Sequence, residues 1–350
     1  MNIEKHLQDL EKRIDPIQEE NLMEEWKEFN RGQLKKGIFT PQREKRNEPA
    51  LEWPDISINE ALEDYDKMAL SQLKRCSAQL KNGGGDVLAV RCNYGTSIIP
   101  SLFGVDLFIM DEDLDTLPTS RPLPGGKDDV KELLDQGIPD LTRGLGEKVF
   151  KMGERFKELR QNYPKLKEHV HIYHPDLQGP MDICEVLWGS DLFLDVNDCP
   201  ELVLDFLDLI TETYIKFMEK WTEIVPFRGD FAVHWGLVHR GNIMLRDDSA
   251  MNFSPAMYEK FIKPFDRKLF DEFGGGALHF CGRGDHYIES AVKIDKLYTV
   301  NMSQPDYNDM EEIFRHTIDQ GIPLINFERE FAEKMRKENR DLKGSIHCRD

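Results

Sequence analysis

The residues with the clearest chemical potential are a histidine and a cysteine two positions apart, His279 and Cys281. They follow a glycine triplet and lie in a short apolar stretch, which predicts a β-strand over residues 277–281. Because side chains two apart on a strand point to the same face, the imidazole and the thiol form a chelating pair. Nitrogen and sulfur donors suit zinc, whose catalytic sites use three protein ligands and leave a fourth position open.

The third ligand is predicted to be Cys348, which ends the last predicted strand, residues 345–348. In a parallel barrel the carboxyl ends of all strands open on one face, so residues distant in sequence converge there. If the strand register is shifted by one unit, Glu328 or Glu330 replaces Cys348. The alternative without metal is that both cysteines are buried small hydrophobic residues and His279 is a hydrogen-bonded core histidine.

Short apolar stretches alternate with helical patterns from residue 83 onward, as in βα units. The predicted strands are 87–92, 107–110, 170–173, 231–237, 277–281, 297–302, 324–327 and 345–348. The predicted helices between them are 145–162, 201–223, 255–272, 287–294, 310–320 and 329–339. This order predicts an α/β fold with a (β/α)8 TIM-type barrel over residues 83–350. No Gly-x-Gly-x-x-Gly turn follows an early strand, which argues against a doubly wound sheet.

Residues 1–82 are predicted to form an N-terminal helical extension. Leu7, Leu10, Ile14 and Ile17 recur at helical spacing, and Pro16 is expected to break this helix in two. The chain continues for only two residues after Cys348, so this extension is expected to take the place of the last barrel helix.

Composition and charge exclude several classes of protein. The 350 residues contain 46 Lys and Arg against 65 Asp and Glu, a net charge of −19, which argues against nucleic-acid binding. No apolar run approaches the roughly 20 residues of a membrane helix, and the N-terminus has no apolar signal core. We therefore expect a cytoplasmic protein with no membrane contact. Its six sparsely spaced cysteines are expected to be reduced thiols.

Four segments resemble the uroporphyrinogen decarboxylase superfamily, over about half of the chain. They are Gly-Pro-Met-Asp-Ile-Cys-Glu-Val-Leu-Trp-Gly at 179–189 with Cys-Pro-Glu at 199–201, Arg-Asp-Asp-Ser at 246–249 with Ser254-Pro255 and Pro264, His-Phe-Cys-Gly at 279–282, and Gly-Ser-Ile-His-Cys at 344–348. The superfamily fold is a distorted (β/α)8 barrel. The resemblance therefore implies the same fold as the strand pattern.

The resemblance is stronger to one branch of this superfamily, the zinc-dependent methylcobamide:coenzyme M methyltransferases. That branch holds zinc with a His-x-Cys pair and a distant cysteine, which implies that His279, Cys281 and Cys348 are the metal ligands and the catalytic residues. The implied activity is methyl transfer between a corrinoid (methylcobamide) partner protein and a small-molecule thiol or methylated substrate. The direction of transfer, the donor, the acceptor and the oligomeric state are left open, a homodimer being one option.

Two alternatives keep the barrel and change the function. The first is metal-free decarboxylation of uroporphyrinogen or another acidic substrate, for which Arg91, Arg240, Arg246 and Arg283 could build a pocket. The aspartate of that branch is missing from residues 91–104, which argues against it. The second alternative is a non-catalytic binding protein, which predicts a pocket without metal or perturbed titratable groups.

Several further polar residues follow predicted strands and are candidates for substrate binding, because barrel active sites lie at these strand ends. They are Arg91, Asn93, Tyr94, His239, Arg246, Asp247, Asp248 and Asn301. Asp247 and Asp248 resemble a superfamily position that lines the pocket, although acids at a helix N-terminus explain them as well. Arg283, Asp285 and His286 are candidates for orienting a ligating histidine.

Overall fold

The computed structural model describes residues 2–349, and they form a mixed α/β structure with 51% helix and 10% strand. The helices are α1 (Ile3–Arg13), α2 (Pro16–Asn30), α3 (Ile58–Glu63), α4 (Tyr65–Asn82), α5 (Ile98–Leu102), α6 (Lys127–Gln136), α7 (Gly146–Arg160), α8 (Pro164–His169), α9 (Pro180–Trp188), α10 (Leu192–Asp198), α11 (Pro200–Ile224), α12 (Pro255–Phe261), α13 (Lys263–Phe273), α14 (Ile288–Ala291), α15 (Met310–His316) and α16 (Arg329–Lys337). None of these helices combines the length and the apolar character that crossing a membrane requires.

The strands are short. They are β1 (Ala89–Val90), β2 (Leu107–Phe108), β3 (Thr119–Ser120), β4 (His171–Ile172), β5 (Phe231–His234), β6 (Leu237–Arg240), β7 (Ile243–Arg246), β8 (Gly276–Phe280) and β9 (Leu297–Met302). The largest sheet has the order β7-β8-β9 and is parallel throughout. Strand β1 pairs with β4 in parallel, while β2–β3 and β5–β6 are antiparallel pairs. The strands within residues 2–349 do not close into a barrel.

Isolated parallel bridges continue the β7-β8-β9 sheet beyond β9. Val300 bridges Leu324, and Leu324 bridges Ile346. A further parallel bridge joins His347 to Phe39, so a segment from the N-terminal region lies beside the end of the chain. All of these connections run in the same direction, which brings the carboxyl ends of the strands to one edge.

The two faces of the sheet pack against different layers. The hairpin-side cluster contains apolar residues from α2, from the β5–β6 hairpin and from one face of the sheet, namely Leu22, Trp26, Phe29, Phe39, Val87, Val233, Leu237, Val238, Met244, Ala277 and Ile325. The opposite face, which includes Leu245, Leu278 and Val300, packs with the remaining helices in a larger cluster. Alternation along each strand therefore decides which layer a side chain enters.

The N-terminal helices contribute to both clusters. Leu7, Leu10 and Ile14 of the first segment are buried in the larger cluster, whereas Ile17 is 70% exposed. The predicted break at Pro16 is confirmed, because α2 begins there and the Asp15 carboxylate accepts a hydrogen bond from the Gln18 amide at 3.5 Å. Helix α2 then crosses the hairpin, where Asn30 donates to the Val238 carbonyl at 2.9 Å.

Several predicted elements differ from those observed. The strand at 297–302 is confirmed, but residues 107–108 pair antiparallel with residues 119–120 and lie outside the parallel sheet. The predicted strand 231–237 is a hairpin, because its chain reverses at Trp235 and Gly236. Strand β7 follows in the same apolar region, and the sequence pattern does not predict it as a separate strand. Residues 324–327 and 345–348 form only isolated bridges.

Candidate metal centre

The parallel register aligns three polar side chains at the ends of adjacent strands. Arg246 of β7 is the partner of His279 on β8, and His279 is the partner of Asn301 on β9. Since side chains in register share a face, these three groups lie side by side. Asp248 and Cys281 follow Arg246 and His279 by two positions and so extend the same face beyond the strand ends.

Asp248, His279 and Cys281 bring three possible metal donors together. One carboxylate oxygen, one imidazole nitrogen and the thiol sulfur all lie within 4.8 Å of one another. The sulfur is 3.4 Å from His279 Nε2, and Asp248 Oδ1 is 3.7 Å from the same nitrogen. Tetrahedral zinc with ordinary bond lengths separates such donors by roughly 3.3–3.6 Å. The two separations from His279 Nε2 are therefore close to those between zinc ligands.

Hydrogen bonds hold these donors in place. The Cys281 amide donates to Asp248 Oδ1 at 2.7 Å, which fixes the carboxylate against the end of β8. The backbone of Asp248 is held in turn by Asp182, whose carboxylate accepts from the amides of Asp248 at 3.0 Å and Ser249 at 2.8 Å. The position of Asp248 is thus set from both its side chain and its backbone.

Asn301 fixes the orientation of the His279 ring. The Asn301 amide nitrogen donates to the Ile325 carbonyl at 2.7 Å, so its oxygen faces His279 Nδ1 at 2.5 Å and accepts the proton on that nitrogen. Nε2 then keeps a lone pair directed at Cys281 and Asp248. A metal-ligating histidine is commonly held by such a bond from its other nitrogen. Asn301, predicted to bind substrate, therefore orients the imidazole of His279, one of the three possible metal donors.

The titration of the two strand residues reflects their burial. Burial lowers the pKa of His279, while Asp248 and Asn301 act in the opposite direction. Burial also raises the pKa of the Cys281 thiol, and the nearby Asp248 carboxylate adds to this shift. A neutral imidazole is ready to bind a metal, whereas the thiol needs a cation to stabilise its thiolate.

Cys348, predicted as the third ligand, lies outside this group. Its backbone amide bonds to the Phe39 carbonyl at 3.1 Å, but its side chain is fully buried in the larger cluster, where burial raises the pKa of its thiol to about 12. The neighbouring His347 takes the opposite face, its ring 4.4 Å from that of Trp26. The pleat turns Cys348 toward the helices, and among the described residues the donor that lies beside His279 and Cys281 is Asp248. Glu328, the alternative, is exposed and is not part of the group.

A buried ion cluster borders the metal centre. Asp176 accepts from both Arg91 and Arg246, and Arg246 also donates to His234 Nε2 at 2.9 Å. Burial alone would raise the pKa of Asp176, but Arg246, His234 and Arg91 outweigh it and hold the pKa below its usual range. The two arginines predicted to bind substrate therefore share one carboxylate of the protein itself, which offsets one of their two positive charges.

Trp235 connects this cluster to the metal centre. Its ring lies edge-on to His279, with 5.2 Å between ring centroids, and the Arg246 guanidinium sits 4.8 Å from its centroid on the ring face. Neither Asp176 nor Trp235 was predicted from sequence. Asp176 could have been predicted from the sequence, because it is an acidic residue just beyond the end of strand β4, where barrel active sites lie. Trp235 could not have been predicted in this way, because its position depends on the β5–β6 hairpin, and the sequence pattern predicts a single strand there.

Three other substrate-binding candidates lie away from the three donors. Asp247 is fully buried on the opposite face from Asp248, where burial and the neighbouring Asp266 raise its pKa. Tyr94 is buried in the larger cluster. His239 lies in strand β6 and not in a loop, and its Nδ1 donates to the Arg240 carbonyl at 3.0 Å. The same alternation that separates Cys348 from the centre separates Asp247 from it.

The remaining sequence candidates are Asn93, Arg283, Asp285 and His286. Asn93 is half-buried, and its side-chain oxygen has no hydrogen-bond partner within the described chain. Arg283 pairs with Asp285 at 2.7 Å, and His286 Nε2 is 3.0 Å from the Phe253 carbonyl. Neither contact involves His279, whose orienting partner is Asn301.

Comparison with models of known protein families gave no match, and comparison with curated proteins gave none either.

Proposed function

We propose that this protein is a zinc-dependent methyltransferase that moves a methyl group between a corrinoid carried by a partner protein and a small-molecule thiol. The observation that carries the proposal is the convergence of Asp248, His279 and Cys281 at the end of a parallel sheet. Three donors leave the fourth position of a tetrahedral ion open for substrate. The resemblance of the His-x-Cys segment to the corrinoid methyltransferases gives the proposal its substrate classes.

The donor set itself favours thiol chemistry. Zinc bound here would supply a positive charge that deprotonates a substrate thiol at neutral pH, where a free thiol with a pKa of about 8.5 is mostly protonated. Asp248 and Cys281 bring two negative charges and His279 brings none, so the ligands offset the charge of a dication. A substrate thiolate then keeps its electron density and its nucleophilicity. In the transfer, its sulfur bonds to the methyl carbon as the cobalt–carbon bond breaks, leaving the electron pair on cobalt.

The residues around the donors fit an exposed, one-sided site. Asp248 has 40% of its side chain exposed and Cys281 is half-buried, whereas His279 is 8% exposed. Substrate therefore approaches from the side of Asp248 and Cys281. The half-buried ring of Trp235 packs edge-on against the His279 ring and supports it from another side.

We also propose that the sheet belongs to a distorted (β/α)8 barrel of the uroporphyrinogen decarboxylase type, whose strands within residues 2–349 are not joined into a continuous hydrogen-bonded ring. Supporting it are the parallel bridges that continue β7-β8-β9 through Leu324 and Ile346, and the parallel pair β1–β4. Side chains on one face of the sheet lie in the hairpin-side cluster and those on the other face lie in the larger cluster. Strands in a barrel wall divide their side chains between the interior and the surrounding helices in the same way.

Decarboxylation of an acidic substrate is the weaker proposal. It needs free arginines, yet Arg91 and Arg246 are paired with Asp176, and Arg283 is paired with Asp285. Arg240 stacks on the Tyr298 ring at 4.3 Å. An incoming carboxylate would have to displace contacts that the protein already makes.

The test is the metal content of protein purified without added metal, measured by elemental mass spectrometry. We expect about one zinc per chain in the wild type, as a three-ligand catalytic site holds. Asp248→Ala, His279→Ala and Cys281→Ser should each lose it. Cys348→Ser is the matched control and should retain zinc. Retention of zinc by Asp248→Ala together with its loss from Cys348→Ser would overturn the ligand set.

Activity is tested separately, with methylcobalamin as the methyl donor and a panel of small thiols. Demethylation, followed by the absorbance change of the corrinoid, should occur in zinc-loaded wild type and in Cys348→Ser. It should be absent from the three ligand variants. A zinc-loaded protein that demethylates methylcobalamin no faster than the thiol alone would sink the methyl-transfer proposal while leaving the metal centre intact.

A further inference from the structure

A cavity lies at the other end of strand β7 from the metal centre. Its volume is about 600 Å³, and it is enclosed by the carboxyl ends of α7 and α11 and by strands β4 and β5. Asn242 lines it at the start of β7, and Asp248 follows six residues later. Strand β7 ends at Arg246, which is in register with His279, so at a rise of about 3.3 Å per residue Asn242 lies roughly 13 Å from the level of His279 along the strand. The cavity is therefore separate from the proposed catalytic site.

The walls of the cavity are largely apolar. They include aromatic and branched side chains from the end of α11 and from β4 and β5, namely Ile172, Trp221, Ile224, Val225, Phe227 and Val233. A cavity of this size and lining is typical of a small-molecule site, in which apolar walls bury most of the ligand and a few polar groups orient it.

Arg160 enters this cavity as a buried charge without an acidic partner. It is 7% exposed, and it donates through Nε to the Phe156 carbonyl at 3.3 Å and through Nη1 to the Val170 carbonyl. No carboxylate within residues 2–349 forms an ion pair with it. Burial and the neighbouring Arg228 lower its pKa to about 10, which still leaves it charged at neutral pH. A buried charge is costly unless something pairs with it.

Arg228 adds a second guanidinium at the exposed edge of the cavity. It donates to the backbone carbonyls of Lys167 at 3.0 Å and Glu168 at 3.1 Å, and it too forms no ion pair with a described carboxylate. His171 lies on the same wall, and burial followed by Arg228 and Arg160 lowers its pKa to about 3. An imidazole surrounded by cations indicates a positive potential inside the cavity.

The charges that line the cavity are unbalanced. Four basic side chains, Lys157, Arg160, Lys167 and Arg228, face two acidic ones, Glu154 and Glu158. One of these acids, Glu158, is already paired with Arg155 at 3.1 Å. A local excess of positive charge stands out in a chain whose net charge is −19. The positive charge of the cavity lining is therefore opposite in sign to the net charge of the chain.

We propose that this cavity binds an organic anion with an apolar body, whose acidic group pairs with Arg160 and Arg228 and whose aromatic or branched part fills the space beside Trp221 and Phe227. The anion supplies the counter-charge that the chain omits, and the walls bury its apolar part. The site is independent of the metal centre, so its ligand is distinct from the methyl donor and acceptor.

The probe for this proposal is 8-anilinonaphthalene-1-sulfonate, an aromatic anion that becomes fluorescent in apolar surroundings. N-phenyl-1-naphthylamine has the same rings without the sulfonate. We expect about one sulfonate probe per chain to bind, and to bind at least about tenfold more tightly than the uncharged probe, as charge-assisted hydrogen bonds imply. Equal affinity for the two probes would overturn the proposal, as would the absence of binding.

Variants assign the binding to this cavity. Arg160→Met and Arg228→Met should each weaken the sulfonate probe at least about tenfold and leave the uncharged probe unchanged. Arg267→Met is the matched control, because Arg267 is exposed on α13 and does not line the cavity. If Arg160→Met does not fold, Arg228→Met decides the matter. Wild-type affinity in both variants would place the probe elsewhere and overturn the site.

The measurement is repeated on His279→Ala. The affinity of the sulfonate probe should be unchanged there, since the cavity shares no residue with the metal donors. A parallel loss of probe binding and zinc in this variant would contradict the separation of the two sites.

Discussion

Asn301 Oδ1 accepts a hydrogen bond from His279 Nδ1 at 2.5 Å, and this contact decides which nitrogen of the ring is free. Asn301 is itself anchored by its donation to the Ile325 carbonyl at 2.7 Å. The lone pair on His279 Nε2 therefore faces Cys281 and Asp248 before any metal arrives. A ring oriented in advance loses little rotational freedom when it binds an ion.

We predict that Asn301→Leu lowers zinc affinity by about 10- to 100-fold without removing any ligand, because the imidazole loses the acceptor that orients it. Asn301→Asp keeps an oxygen facing Nδ1 and should remain much closer to the wild type. The measurement is competition for zinc with a chelator of known affinity. Wild-type affinity in Asn301→Leu would show that the ring is held by other contacts.

The chemistry of the site was predictable from sequence where it depended on local spacing. His279 and Cys281 are two residues apart on one strand, so their common face follows from the strand period alone. The third donor was not predictable in the same way. Asp248 reaches the site because β7 is in register with β8, and β7 was concealed in an apolar region that also contains the β5–β6 hairpin.

The placement of Cys348 also depends on strand register. The position of Cys348 at the end of the chain predicts a strand end. Only the register of the bridged residues shows whether His347 or Cys348 shares the sheet face of His279. His347 takes the hairpin side with Trp26, so Cys348 must take the other. A shift of one residue exchanges the two faces, and composition carries no information about it.

Thiol reactivity should distinguish these two cysteines. Cys281 is half-buried, whereas Cys348 is fully buried and burial raises the pKa of its thiol to about 12. We predict that chelator-treated protein exposes one additional thiol to an aromatic disulfide reagent compared with zinc-loaded protein. Cys281→Ser should remove this increment, and Cys348→Ser should keep it. An increment that disappears only in Cys348→Ser would contradict the assignment.

The buried histidines should make the protein less stable in mild acid. Burial lowers the pKa of His239 to about 4, and its Nε2 has no hydrogen-bond partner within the described chain. Between the ordinary histidine pKa near 6.5 and a pH of about 4, His239 is protonated in the unfolded chain and neutral in the folded chain. The free energy of unfolding therefore falls as pH decreases through this range, by up to about 1.4 kcal/mol per pH unit for each such histidine.

His239→Gln tests this prediction, because glutamine does not titrate. Urea unfolding at a series of pH values between 7 and 4 should show a shallower loss of stability in the variant than in the wild type, by up to about one proton. His347→Gln should behave in the same way, since burial lowers the pKa of His347 to about 3. Identical slopes in all three proteins would show that these histidines titrate normally in the folded state.

Trp235 occupies a backbone conformation that tryptophan rarely adopts. It forms the two-residue turn of the β5–β6 hairpin with Gly236, and both residues have positive φ, of 54° and 81°. Such turns favour asparagine followed by glycine, because bulky side chains are strained there by about 1–2 kcal/mol. Strain of this kind is expected where a side chain serves the site, and the ring of Trp235 packs against His279 and Arg246.

We therefore predict that substitutions of Trp235 affect the stability of the fold and the affinity of the site for zinc in different orders. Trp235→Asn should be more stable than Trp235→Ala by about 1 kcal/mol, because asparagine tolerates positive φ and alanine does not. Both variants should bind zinc more weakly and transfer methyl groups more slowly than the wild type, since each removes the ring that supports His279. Trp235→Phe, which keeps an aromatic ring, should fall between them and the wild type in zinc affinity. Urea unfolding and chelator competition on the same four proteins measure the two effects, and wild-type zinc affinity in Trp235→Ala would show that the strained turn serves the hairpin alone.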